Sequence, residues 1–235
     1  MSALSSPTSP KSPKSPRWGN IRWASSPERG PDLNSYNFKG RRPSILSLER
    51  FQIVAPPATD IWRKPPDVSD FTAPIVYRSF HPSRFRKARL TVAADWKTLY
   101  DQGGLILVNS QAEGIKKWVK AGIEFYKGKP QVSVVAADRW ADWGLIPTTF
   151  KDPNTVTIEF EREMTARGTP GTVLTVYIVD GEDRFPIREV TWAFENSASK
   201  EYWIGAYAAK PTREEGDPNQ SLHVDFTDFH IELTD

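Results

Sequence analysis

Residues 116–126 read Lys-Lys-Trp-Val-Lys-Ala-Gly-Ile-Glu-Phe-Tyr. From Val119 onward every second residue is apolar, giving the row Val119, Ala121, Ile123 and Phe125, with Trp118, Lys120, Gly122 and Glu124 making the opposite row. Side chains of an extended strand point alternately to its two faces, so this period of two predicts a strand with one face turned to a core. The second row is unlike an ordinary wet face. A Trp, a Gly and a Lys/Glu pair two strand steps apart suit a shallow polar groove better than bulk water. The row therefore reads either as a binding groove or as a structural face covered at its edge, with Trp118, Lys120 and Glu124 as candidate ligand contacts.

The same alternation recurs outward in both directions, in short blocks parted by Gly, Pro, Asn and Asp. Along 155–163, Val156, Ile158 and Phe160 face one way and Thr157, Glu159 and Glu161 the other, which predicts a strand with a solvated outer face. Further strands are expected near 51–55, 74–79, 88–95, 103–109, 131–137, 172–179, 187–194, 202–209 and 221–233. Lys127-Gly128-Lys129-Pro130 and Asp180-Gly181-Glu182-Asp183 fall between such blocks and read as hairpin turns. No segment carries a sustained helical period. Short strands with no helices between them predict an all-β fold, two antiparallel sheets packed face to face in a jelly-roll-like sandwich.

One domain of this kind accounts for a chain of 235 residues. It is expected over 46–235, after a disordered Ser/Pro/basic tail over 1–45, where the run SSPTSPKSPKSPR offers too little apolar surface to offset its ordering entropy. Ser6, Ser9, Ser12, Ser15 and Ser26 each precede a proline, as substrates of proline-directed kinases do, and Ser44 follows Arg41-Arg42-Pro43 as in basophilic kinase sites. Phosphate at Ser9, Ser12, Ser15, Ser26 or Ser44 would change the charge of a tail that carries Lys11, Lys14 and Arg17; an unmodified solvated tail is the plain alternative. Trp18 and Trp23 read as side chains that pack back onto the sandwich or anchor a partner.

Charge is nearly balanced, 31 Lys+Arg against 29 Asp+Glu, so no bulk signature points to nucleic acid or to an acidic membrane surface. The absence of cysteine excludes disulfides, thiolate metal sites and a cysteine nucleophile, and is compatible with a reducing compartment. There is no apolar run for a signal core or for a membrane helix, and Pro7, Pro10, Pro13 and Pro16 oppose an amphipathic presequence. The expected location is cytoplasmic, with the nucleus also open.

Four blocks carry a family resemblance. They are Ala55-Pro56-Pro57-Ala58-Thr59-Asp60-Ile61-Trp62-Arg63-Lys64-Pro65-Pro66, Tyr100-Asp101-Gln102-Gly103-Gly104-Leu105, Trp118-Val119-Lys120-Ala121-Gly122-Ile123-Glu124, and Trp140-Ala141-Asp142-Trp143. Together they resemble the fungal regulation-of-enolase protein family, within the concanavalin A-like lectin and glucanase superfamily. The resemblance implies a jelly-roll-like sandwich, a mostly cytoplasmic location and a role in regulating enolase. It brings no catalytic residues, and it leaves the tail unexplained.

Glycosidases on such sandwiches need two carboxylates facing each other across a cleft. Glu124 with Asp142 is one candidate pair, both beside Trp, for a glycosidase or isomerase; the plain alternative is that Lys120 neutralises Glu124 and Asp142 caps a turn. Glu159-Phe160-Glu161-Arg162-Glu163 resembles a laminarinase acidic strand only loosely, lacking an Asp between the paired Glu residues. His81, His223 and His230 lie in no nucleophile-elbow pattern, and the His223/Asp225 pair reads as structural. Asp152-Pro153-Asn154 and Asp180-Gly181-Glu182-Asp183 supply oxygens but also plain turn chemistry, so neither a metal nor a cofactor is expected. The leading expectation is a non-catalytic binding module. It uses Trp118, Lys120, Glu124, Trp140, Asp142 and Trp143 for a carbohydrate, metabolite or protein ligand, enolase included. A third reading makes the phosphorylated tail recruit the partner and the sandwich a platform.

Overall fold

The period-two blocks fold into two antiparallel sheets in the computed structural model, which describes residues 33–38, 50–110, 116–148, 150–195 and 201–234. Ser9, Ser12, Ser15, Ser26 and Ser44, together with Trp18 and Trp23, lie outside the described residues.

The larger sheet has seven strands, in the order β1 (Asn34–Tyr36), β5 (Ile75–Phe80), β14 (Tyr202–Ala209), β7 (Gln102–Asn109), β8 (Lys117–Tyr126), β9 (Lys129–Ala137) and β10 (Ala141–Pro147). The smaller has six: β13 (Asp183–Val190), β12 (Pro170–Asp180), β11 (Thr155–Met164), β6 (Phe85–Ala94), β15 (Leu222–Leu233) and β2 (Arg50–Ala55). The inner rows meet between the sheets, where Val119, Ala121 and Ile123 of β8 share one core with Val156, Ile158 and Phe160 of β11. The apolar half of both quoted strands thus faces where the alternation predicted.

The outer rows differ from expectation. β3 (Ile61–Lys64) and β4 (Val68–Phe71), absent from the sequence reading, pair as a separate hairpin. Ile61 and Ala73 pack with Ile106, Val108, Trp118, Val135 and Tyr207 in a second core on the outer side of the seven-stranded sheet. The hairpin thus adds a third layer over part of the sheet. Arg63 fastens it, donating to Ser69 Oγ (3.3 Å) within the hairpin and to the Asp138 (3.3 Å) and Lys116 (3.0 Å) carbonyls beside the ends of β9 and β8.

Three local readings are corrected. Asn34–Tyr36, inside the expected tail, pair with β5 because Tyr36 finds Phe71 and Trp203 to pack on, each 5.6 Å away between ring centroids. Residues 141–147, outside every expected strand, form the edge strand β10 in register with β9. Glu159 is 1% exposed rather than solvated, since Arg89 (2.6 Å) and Arg184 (2.5 Å) close over it.

Candidate functional site

Strand register assembles the floor of a cavity. Gln102, Glu124 and Gln131 are lateral neighbours, as are Ile106, Lys120, Val135 and Trp143, so one outer row of β7 to β10 carries them all. The segment entering β3 lays Asp60, Trp62 and Lys64 along one side, and the turn before β7 brings Tyr100 to the other. The cavity is about 270 Å³. Tyr100 sits at φ 66°, a left-handed conformation unusual for an aromatic residue, and is held there by its amide bond to the Phe125 carbonyl at 2.8 Å.

Glu124 is 6% exposed, and one of its oxygens is committed. Ser133 Oγ (2.7 Å) and Trp143 Nε1 (3.0 Å) both donate to Oε2. A proton on this carboxyl therefore sits on Oε1, which takes no bond from a described residue. Burial lifts the carboxyl above the ordinary glutamate range, against the opposing pull of Lys120, Ser133 and Trp143. Lys120, 2% exposed, donates to the Ile61 carbonyl (2.7 Å) and to Gln102 Oε1 (2.5 Å), with Asp60 Oδ1 at 4.0 Å. Burial pushes its ammonium below the usual lysine range while Asp60 and Glu124 pull it back. Asp60 is likewise raised by burial, and accepts from Gln102 Nε2 (3.2 Å) and the Ile61 amide (2.7 Å).

Aromatic rings make the walls. Trp143 is edge-on to Trp62 (6.4 Å), Tyr100 (6.4 Å) and Tyr126 (5.2 Å). Behind the walls, Lys210 ties two loops together: its backbone exchanges bonds with Thr59, and its Nζ reaches Thr98 Oγ1 (2.7 Å) and Asp101 Oδ1 (3.3 Å). That one residue thus holds the neighbour of Asp60 and the neighbour of both Tyr100 and Gln102.

Of the residues singled out in the sequence, Lys120, Glu124 and Trp143 come together here. Trp118 does not join them as an exposed platform. It is 1% exposed, under the hairpin core with Lys120 Nζ 5.5 Å from its ring, and offers no face for stacking. Trp140 lies outside the cavity against Arg139. Asp142 alternates to the other side of β10 from Trp143 and pairs with Arg188 at 2.6 Å, so it cannot act with Glu124 across a cleft. Gly122 does permit a close approach, but by the neighbouring strand: a Cβ there would lie 1.9 Å from the Gly103 carbonyl oxygen. Asp60, Trp62, Tyr100 and Gln102 were missed as site residues, although each stands inside a block that carried the family resemblance.

The arrangement offers a convergent set of donors and acceptors beneath flat apolar rings. Among the described residues no group of three or more His, Cys, Asp or Glu is placed to hold a metal ion. His223 instead bonds Gln52 (3.0 Å), which donates to Asp225 (3.1 Å), an exposed network on the other sheet.

Comparison with solved structures shows the same sandwich elsewhere. A functionally unknown protein from Saccharomyces cerevisiae matches with a TM-score of 0.67 and 20% identity, over 86% of this chain and 96% of that one. An alginate lyase from Pseudomonas aeruginosa matches at 0.50 and 9%, over 84% and 88%. The GH43 protein BlXynB from Bacillus licheniformis matches at 0.55 and 12%, over 79% of this chain but only 33% of that larger one. At these identities the likeness speaks for the jelly-roll fold alone. An uncharacterized protein of Emericella nidulans is 45% identical over 191 residues, 81% of this chain and 90% of its own. Residues 41–234 match the family described as protein of unknown function (DUF1349), and the chain belongs to that family.

Proposed function

We propose that the chain is a binding protein whose cavity takes a small neutral molecule rich in hydroxyl groups, a carbohydrate or a close relative. The observation that carries this reading is Glu124, fixed through Oε2 with Oε1 left free in a cavity walled by Trp62, Tyr100 and Trp143. A sugar ring has apolar C–H faces and a polar rim, so it matches flat rings above and convergent polar groups below. Asp60, Gln102 and Glu124 supply acceptors, while Lys120 supplies a donor. Lys120 offsets the acidic groups, which favours a neutral ligand over a strongly charged one.

The test is calorimetry of the full chain against a panel of monosaccharides and oligosaccharides, repeated with Trp62→Ala and Glu124→Gln. For a sugar that binds, Trp62→Ala should weaken affinity by about 1–2 kcal/mol, the worth of one aromatic stacking contact. Glu124→Gln keeps the shape and the Oε2-type acceptor, so it should weaken binding only modestly. No heat with any sugar refutes the reading.

A second reading makes the chain an enzyme that uses Glu124 as acid, favoured by the raised carboxyls of Glu124 and Asp60 in one cavity. It replaces Asp142, the partner expected from sequence, with Asp60. Glu124→Gln separates the two, since catalysis would be abolished with affinity nearly intact. The regulation of enolase implied by the sequence resemblance is tested by enolase turnover in the presence of the full chain, with and without the bound sugar. Unchanged turnover removes that step and leaves the cavity reading standing.

A further inference from the structure

Resting on the carbohydrate reading, we infer that the cavity admits one ring end-on, a free monosaccharide or the terminal ring of a chain, and rejects the interior of a chain. A polysaccharide that passes through a site needs a trough open at two ends. Here both ends are shut by contacts between the walls. At the β7 end Asp60 Oδ1 accepts from Gln102 Nε2 at 3.2 Å, which joins the hairpin side to the sheet. At the β10 end the edge of Trp62 meets Trp143, with ring centroids 6.4 Å apart and planes at 80°. The remaining side is closed by Tyr100, also edge-on to Trp143 at 6.4 Å. The bottom is the sheet itself, with Lys120 and Glu124 on it.

What makes the pocket blind is the hairpin. An uncovered outer face would run as a continuous surface across β14, β7, β8, β9 and β10, but Ile61 and Trp118 fill its middle as core. Arg63 prevents the hairpin from lifting as a flap, because its guanidinium bonds reach both Asp138 and Lys116 on the sheet side. The cavity volume of about 270 Å³ falls just below the roughly 300–1,000 Å³ of pockets that hold drug-sized ligands, and so suits one ring with its hydration rather than several. Lys64, exposed on the hairpin side, stands where the rest of a chain would leave toward solvent.

The experiment compares, on the full wild-type chain, monosaccharides (glucose, mannose, galactose, xylose) with linear hexasaccharides built from them and with ring-closed α-cyclodextrin, which has glucose units but no end. The expected result is that a sugar which binds does so as a monosaccharide within about tenfold of its linear hexamer, while the cyclic form gives no measurable binding. Trp62→Ala removes one end wall and should lengthen the preferred ligand, raising the hexamer-to-monomer affinity ratio. An affinity that climbs a hundredfold or more with chain length, or a cyclic ligand held as tightly as its linear counterpart, overturns end-on binding and leaves the carbohydrate reading intact. Silence from every sugar overturns the carbohydrate reading itself, and end-on recognition falls with it.

Discussion

A single carboxyl shows how burial converts a common residue into a reporter. Glu124 is raised by burial, so over the range above its ordinary value of 4.5 the folded chain keeps a proton that the unfolded chain has released. Stability from this proton is fully present below that range and is lost as pH climbs through the folded value. Glu124→Gln cannot titrate. The stability gap between wild type and Glu124→Gln should therefore move in the variant's favour as pH rises above 4.5, as read from urea melts, with Asp60 and Asp101 common to both proteins. A gap independent of pH would mean that the carboxyl ionises in place without penalty. Trp118 gives a second expectation at this scale. Trp118→Ala should cost about 3–5 kcal/mol of folding stability, because it empties a site that is 1% exposed. That loss would appear in a denaturant melt whether or not ligand is present, unlike the binding-specific loss from Trp62→Ala.

Between elements, glycines and one arginine decide how closely layers approach. Gly104 and Gly122 lie opposite each other in β7 and β8, and a Cβ on either would fall within 2.0 Å of a carbonyl oxygen across the pair. Gly122→Ala should therefore destabilise by at least about 3 kcal/mol, an overpacking cost with no side chain that could rotate away. Gly128 in the β8–β9 turn makes an instructive contrast. It has open space around it but φ of 76°, so Gly128→Ala should cost only about 1 kcal/mol. Arg63 is the corresponding residue for the hairpin. Arg63→Met should destabilise by about 2–4 kcal/mol through lost bonds to Ser69, Asp138 and Lys116, and should speed amide exchange in 61–71 before the sandwich itself opens.

For the molecule as a whole, the buried Lys210–Asp101 pair links the chain near the end of β14 to the loops on either side of the cavity. Both side chains are 2% exposed, and Asp101 Oδ2 also accepts from the Lys97 and Thr98 amides. Lys210→Met alone leaves a carboxylate buried without its partner, and should cost about 3–5 kcal/mol. Adding Asp101→Asn removes the stranded charge while keeping an oxygen for the two amides, so the double variant should regain a large part of the loss. A double-mutant cycle in denaturant measures that coupling, and additive losses would show that the pair contributes nothing as a pair.

The chain's own pattern was sufficient for the sandwich, because alternation states which side chains must leave water. Val119, Ala121 and Ile123 had one side to go to, and Val156, Ile158 and Phe160 were their counterparts in the other sheet. The same pattern also flagged the row of Lys120 and Glu124 as unlike a wet face. It could not say what covered that row. Ile61 to Phe71 carry too short and too polar a pattern to read as strands, so the hairpin that buries Trp118 was invisible, as was the edge strand β10, whose alternation turns Asp142 away from Trp143. Glu159 misled for a related reason: its arginines come from β6 and β13, far off in the chain. A strand's local period sets which residues share a face. Which face meets solvent, which meets another layer and which becomes the floor of a pocket depend on partners distant in sequence, and only the tertiary structure brings those together.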